Sequence, residues 1–270
     1  MEEKYKTLEI VEKIPKSGVF YLILNRPSQR NALSHDFFSE FPKALHALDD
    51  NTEVNVIVLS GAGNHFCSGI DVSILGSIGT NPSSGESLRR QIMAMQDSVT
   101  ALERCRKVVI ASIEGACIGG AIDIVTACDI RMCTKDAFFS VKEVDLALAA
   151  DLGTLQRLPL IVGFGNAMEL ALTGRIFSGL EAKELGLVSR AFNSKLELHD
   201  GVRDVAQAIA SKSPLAVIGT KSVLLKSRDL TVDQGLDYVA TLNSARLFSN
   251  DLSEAVMAHM QKRKPLFSKL

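Results

Sequence analysis

The chain is predicted to be an α/β protein with largely parallel strands, on three observations. Short β-branched runs alternate with helical stretches, each such run ends in sequence containing Gly or Pro, and strand signals stop near Asp200. The alternation reads βαβα, which needs crossover helices between strands and so favours parallel pairing.

Residues 19–24 form the first apolar run, closed by Asn25-Arg26-Pro27, the profile of a strand entering a turn. Ser34 then opens a helix whose apolar positions Phe37, Phe38, Phe41, Leu45 and Leu48 recur at helical spacing. Residues 54–61 and 108–113 read as two further strands. Between them, residues 76–85 are rich in Gly, Ser, Asn and Pro and are expected to form a mobile loop, since the alternation resumes afterwards. The remainder reads as helices over 202–210, 214–226, 232–247 and 253–261, with Pro265 expected to stop the last. Apolar faces such as Val217, Leu224 and Leu225 could pack on the core or on a neighbouring subunit.

At 270 residues with 46% hydrophobic content, the chain can bury a sizeable core. Lys+Arg of 30 against Asp+Glu of 31 leaves a net charge of −1, so no nucleic-acid or membrane surface is expected. The cysteines, Cys67, Cys105, Cys117, Cys128 and Cys133, are odd in number and lack a Cys-x-x-Cys pair, which argues against a disulfide framework or a metal site. No signal peptide or membrane-length apolar run is evident, and a reduced, intracellular protein is expected. Ser268, Lys269 and Leu270 read as the tripeptide address recognised by the peroxisomal import receptor, so the peroxisome is the expected compartment.

Three carboxylates, Asp123, Glu143 and Asp151, stand in apolar sequence after a glycine-rich turn. Carboxylates there are costly to desolvate, and neighbouring ones push their proton affinities apart, which is how a site obtains an acid and a base. Each could equally cap a helix or pair with an arginine. Two turns accompany them, 64–71 and 115–123, each directly after a strand. Glycines at such turns let backbone N–H groups point into open space, and two converging N–H groups make an oxyanion hole. Neither turn carries a dinucleotide fingerprint or a P-loop.

With these residues in view, the chain resembles the crotonase, or enoyl-CoA hydratase/isomerase, superfamily. The resemblance is carried by Asn25-Arg26-Pro27 with Asn31-Ala32-Leu33, by Phe66-Cys67-Ser68-Gly69-Ile70-Asp71, by Gly119-Gly120, and by Ala171-Leu172-Thr173-Gly174 with Glu184-Leu185-Gly186-Leu187-Val188. It implies a spiral of ββα repeats over residues 1–200 carrying an acyl-CoA site, then a helical oligomerisation region over 201–270 that builds homotrimers or homohexamers. It also implies a thioester oxygen held by the N–H groups of Ile70 and Gly120, with Ser68, Gly69, Asp71 and Val72 around the substrate. No separate cofactor is implied, because coenzyme A is part of the substrate.

Hydratases of the family carry glutamates at the positions of both Asp123 and Glu143, whereas here the first is Asp and a third acid stands at Asp151. Residues 138–159 are similar to the dienoyl-CoA isomerase branch, which implies that 3,5-dienoyl-CoA becomes 2,4-dienoyl-CoA in the breakdown of unsaturated fatty acids. Glu143 and Asp151 are then expected to transfer protons, in an order left open, with Asp123 orienting one of them. A 2-enoyl-CoA hydratase or a 3-enoyl to 2-enoyl isomerase is the near alternative; a non-catalytic binding protein of the same fold is the distant one. Asp145 would share a strand face with Glu143, Asp129 and Arg131 read as structural, Glu114 as structural, and His65 as a strand end or a solvent-facing residue. Ala121, where a third Gly is frequent, is expected to tighten its turn.

Overall fold

The computed structural model describes residues 4–74, 76 and 85–269, so most of the loop expected at 76–85, and Leu270, lie outside the described residues. Strands β1 (Leu8–Val11), β2 (Val19–Leu24), β3 (Val56–Gly61), β4 (Val108–Ile113), β6 (Ile130–Thr134) and β9 (Arg190–Phe192) build a six-stranded sheet in the order β1-β2-β3-β4-β6-β9. Only β1 runs antiparallel to its neighbour; the other pairs are parallel. A second sheet, β5 (Ala116–Ile118), β7 (Phe138–Ser140) and β8 (Phe177–Ser178), lies in the order β5-β7-β8. Successive strands thus alternate between sheets: β4 leads into β5 and β6 into β7, which is the ββα spiral.

Helix α1 (His35–Asp50) is capped by Ser34, whose hydroxyl accepts from Phe37 N–H, and it buries Phe37, Phe41, Leu45 and Leu48. With α2 (Gly85–Arg104) and α3 (Gly120–Ala127) it covers one face of the large sheet and encloses the main core. Every residue of α3 is buried, Asp123 included. Helices α4 (Thr154–Val162), α5 (Phe164–Thr173) and α6 (Gly179–Glu184) follow. The opposite sheet face, with Val56, Val58 and Ile110, is covered by Leu198, Val202 and Ala206 of α7 (Lys195–Ala210). The boundary expected between residues 200 and 201 falls inside α7. Helices α8 (Pro214–Ser227), α9 (Val232–Arg246) and α10 (Asn250–Met260) complete the chain, and α9 buries no residue.

Strands β1, β5, β6, β7, β8 and β9 are not read from the sequence, because they span two to five residues, too short for a period to show. Residues 143–146 are a 3-10 turn rather than a strand, so Asp145 does not share a face with Glu143; it pairs instead with Lys142. Ala121 lies within α3, not in the turn, and tightens nothing. The last helix ends at Met260, with Lys262 in left-handed backbone (φ 52°), before Pro265 is reached. Among the described residues no helix is long and apolar enough to cross a membrane.

Candidate active site

The two glycine-bearing turns are laced together by backbone bonds. Phe66 N–H donates to Glu114 at 2.7 Å, Cys67 N–H to Ala116 at 2.9 Å, and Ile118 N–H to Cys67 at 3.2 Å. His65 belongs to this lacing, since its Nδ1 accepts from Ala116 N–H at 3.1 Å; it neither ends a strand nor simply faces solvent. Asn31 braces the first turn from behind: its side-chain amide donates to the carbonyls of Ala62, His65 and Phe66 at 2.8–3.1 Å. Sequence reading assigned Asn31 no role, although a polar side chain held in left-handed backbone (φ 57°) marks an organiser of a turn.

One consequence is where Ile70 points. Leu33 N–H donates to Gly69 C=O and Asp71 N–H donates to Leu33 C=O, both near 2.9–3.0 Å, forming a parallel bridge that leaves the Ile70 N–H facing the other way. That side is occupied by Gly120: a β-carbon on Gly120 would lie 3.6 Å from Ile70 N, and one on Gly69 would lie 3.6 Å from Gly120 N. Gly69 sits at φ +94° with its Cα pressed on Ile118 C=O, an approach only glycine tolerates. Gly120 opens α3, where N–H groups lack intrahelical partners. Among the described residues neither amide meets a protein acceptor, so two donors converge on one space, as an oxyanion hole requires.

Most of the neighbours named with these amides also have partners within the protein. Ser68 N–H is taken by Arg30 C=O at 3.0 Å, and Gly69 N–H leans on Cys67 Sγ at 3.4 Å. Asp71 pairs with Arg26 at 3.0 Å and bonds Ser73, which holds its carboxyl below the ordinary range. Val72 is largely exposed.

The three acids are gathered beside this space. Asp123 follows Gly120 by three residues on α3 and is 1% exposed. Its Oδ1 accepts the backbone N–H of Thr154, first residue of α4, at 2.6 Å. Burial pushes its pKa up to about 6, opposed by hydrogen bonding from Thr154 and the charge of Arg157, while the charge of Asp151 adds to the rise. Glu143 lies against the second turn: a β-carbon on Gly119 would stand 3.4 Å from its Oε1. Burial, and then the negative charges of Asp123 and Asp151, raise Glu143 to about 7. Its Oε2 is buried and has no partner among the described residues. Asp151 stands on the open side, its pKa also raised by partial burial. Three carboxylates that feel one another's charge next to two free amides can take a proton from one carbon and return it to another.

The remaining polar candidates are structural. Asp129 pairs with Lys221 at 2.8 Å, and Arg131 donates to the carbonyls of Val125, Cys128 and Leu187. Glu114 binds Lys195 and His199, each at 2.7 Å, anchoring α7 to the second turn. All five cysteines are free and buried. Two cavities of about 890 and 940 Å³ lie elsewhere, against α8, and neither includes the acids.

The sequence pattern of enoyl-CoA hydratase/isomerase matches residues 15–269. The chain is 66% identical to the peroxisomal Delta(3,5)-Delta(2,4)-dienoyl-CoA isomerase of Arabidopsis thaliana, over 99% of each chain. It is 41% identical to the mitochondrial Delta(3,5)-Delta(2,4)-dienoyl-CoA isomerase of Mus musculus, covering all of this chain and 85% of that one. Its fold superposes on the crystal structure of an enoyl-CoA hydratase from Bacillus anthracis with a TM-score of 0.90 at 29% identity, over 97% and 99% of the two chains. By match, identity and fold together, the chain belongs to the enoyl-CoA hydratase/isomerase family, the crotonases.

Proposed function

We propose that this protein converts 3,5-dienoyl-CoA to 2,4-dienoyl-CoA. The observation that carries the reading is the coupled set Asp123, Glu143 and Asp151 beside the free amides of Ile70 and Gly120. The names of the relatives at 66% and 41% identity support it.

The reaction moves two conjugated double bonds by one position. A proton leaves the carbon next to the thioester carbonyl, charge flows onto the carbonyl oxygen, and a proton is added at the far end of the diene. No net proton is consumed. Donors aimed at that oxygen act where charge develops, and removing one costs about 3 kcal/mol in comparable sites. Glu143 lies against Gly119, one residue from the Gly120 amide, and so is assigned the proton beside the carbonyl. Asp151, on the separate turn before α4, is assigned the far carbon. Asp123, locked by Thr154, contributes the negative charge that keeps Glu143 basic.

Purified protein should generate the ultraviolet absorbance of the 2,4-dienoyl thioester from a 3,5-dienoyl-CoA, with little hydration of 2-enoyl-CoA. The opposite preference overturns the reading in favour of the hydratase. The peroxisome belongs to the same proposal, supported by the compartment of the Arabidopsis relative, with the mitochondrion of the mouse relative as the competing outcome. A fluorescent fusion with and without residues 268–270 distinguishes them. A homotrimer or homohexamer is likewise proposed: Phe248, Leu236 and Val232 around α9 are 91%, 60% and 78% exposed in the single chain, and light scattering tests their burial between copies.

A further inference from the structure

Helix α4 reads Thr-Leu-Gln-Arg-Leu-Pro-Leu-Ile-Val, and the arginine in it, Arg157, has a side chain only 11% exposed. A charge in that position is costly unless it is put to use. Its guanidinium reaches three groups. Nη1 donates to Leu152 C=O at 3.4 Å, and Nη2 donates to Thr100 Oγ1 at 3.2 Å and to Glu103 Oε2 at 2.9 Å, both on α2. The other oxygen of Glu103 accepts from Arg228, after α8, at 2.7 Å. Two guanidinium groups thus share one carboxylate, which leaves a net positive charge in the cluster.

The turn that carries Asp151 is pressed against this guanidinium. Gly153 is at φ +124°, and a β-carbon there would fall 1.7 Å from Arg157 Nη1. Two residues before Gly153, Asp151 C=O accepts from Nε2 of Gln96, also on α2, at 2.7 Å. Two consecutive carbonyls, Asp151 and Leu152, are therefore gripped by side chains, and the amide two residues on, Thr154, holds Asp123. One short turn fixes both outer members of the acid set.

We infer that Arg157 is the positioning residue of this site: it clamps the 151–154 turn so that Asp151 and the Thr154 amide keep their places. The inference rests on the isomerase reading above. The charged groups facing the pair are Asp151 on the turn, Glu143 beside the Gly119 turn, Glu103 on α2 and Arg228 after α8. Burial drives Asp123 toward its neutral form, and Arg157 opposes that drive.

The test uses the full chain with Arg157→Gln and Arg157→Lys. In Arg157→Gln, kcat is expected to fall on the order of 10²-fold with KM changed only a few fold, as for misplaced catalytic groups, and the acidic limb of the pH profile to move to lower pH, since a more readily protonated Asp123 withdraws its charge from Glu143. Arg157→Lys keeps the charge but not the fork, so the limb should return to its wild-type position while kcat recovers only in part. A second readout needs no substrate: the infrared carboxyl band of protonated Asp123, assigned with Asp123→Asn, should titrate at higher pH in Arg157→Gln. If wild-type protein fails to isomerise while the band still shifts, the reaction reading falls and the hold of Arg157 on Asp123 stands. An unshifted band, with any loss of kcat matching a loss of thermal stability, overturns the inference. Should Arg157→Gln not fold, Arg157→Lys decides, and wild-type kcat in that variant overturns the clamp.

Discussion

Thr154 donates its backbone N–H to Oδ1 of Asp123 at 2.6 Å, joining residues 31 positions apart. Because Thr154 begins α4, the carboxylate sits at a helix N-terminus, where unsatisfied N–H groups and the helix dipole favour negative charge. This opposes the rise that burial imposes on Asp123. Asp123, 1% exposed, is raised only to about 6, whereas the less buried Glu143, with an unpartnered Oε2, reaches about 7.

That raised value carries a stability cost. Asp123 has an ordinary value of 3.8 and a folded value of about 6, so the folded protein binds its proton more tightly and loses stability as pH rises through this window. Asp123→Asn removes the charge yet keeps an oxygen for Thr154. It should stabilise the protein at pH 8 by on the order of 3 kcal/mol, with the gain vanishing below about pH 4, read by denaturant melts across pH. Equal stability of the two proteins at every pH would refute the desolvated state of Asp123.

The rate should track the ionisation of Glu143. A base with a value near 7 gives kcat/KM that climbs with pH through neutrality. Asp123→Asn removes a like charge from Glu143 and should move the acidic limb to lower pH. Steady-state profiles of both proteins check this, and a limb that stays put removes Asp123 from the electrostatics of Glu143.

Asp151→Asn keeps the size of the side chain and removes its acidity. Dienoyl isomerisation should fall by at least about 10²-fold, the low end for a lost proton-transfer group, while melting temperature changes little because Asp151 stands on the open side. Undiminished turnover would exclude Asp151 from proton transfer.

Gly69→Ala tests the oxyanion amides through backbone alone. A methyl group there meets Ile118 C=O at 2.8 Å in left-handed backbone, so the turn must shift and carry the Ile70 N–H with it. A loss of kcat of about 10²–10³-fold is expected, as for removal of an oxyanion donor. Wild-type kcat in a folded variant would show that the Ile70 amide is not needed.

The helix after Ser34, the helices after residue 200 and strands β2, β3 and β4 are legible because their signals are local, whereas the helices Thr154–Val162, Phe164–Thr173 and Gly179–Glu184 are not. Phe37, Phe41, Leu45 and Leu48 recur at helical spacing, and Ser34 caps as its residue type demands. The order of the acids and the two glycine turns could also be read directly. Strands of two or three residues such as β8 and β9 could not, because their formation depends on a partner strand rather than on their own pattern. The backbone at Asp145 is not legible for the same reason: whether residues 143–146 extend or coil is decided by what packs on them.

By itself, then, the chain determined the alternation of elements, the glycines that free two amides, and which carboxylates stand in apolar sequence. The tertiary structure decided which amides remain unpartnered, that Asp123 is held by Thr154, and that Arg157 is buried behind the turn carrying Asp151. Those outcomes rest on contacts between residues 31 to 54 positions apart, such as Asp123 with Thr154 and Glu103 with Arg157. Hydrogen bonding and desolvation depend on distance in space, and only folding sets that distance.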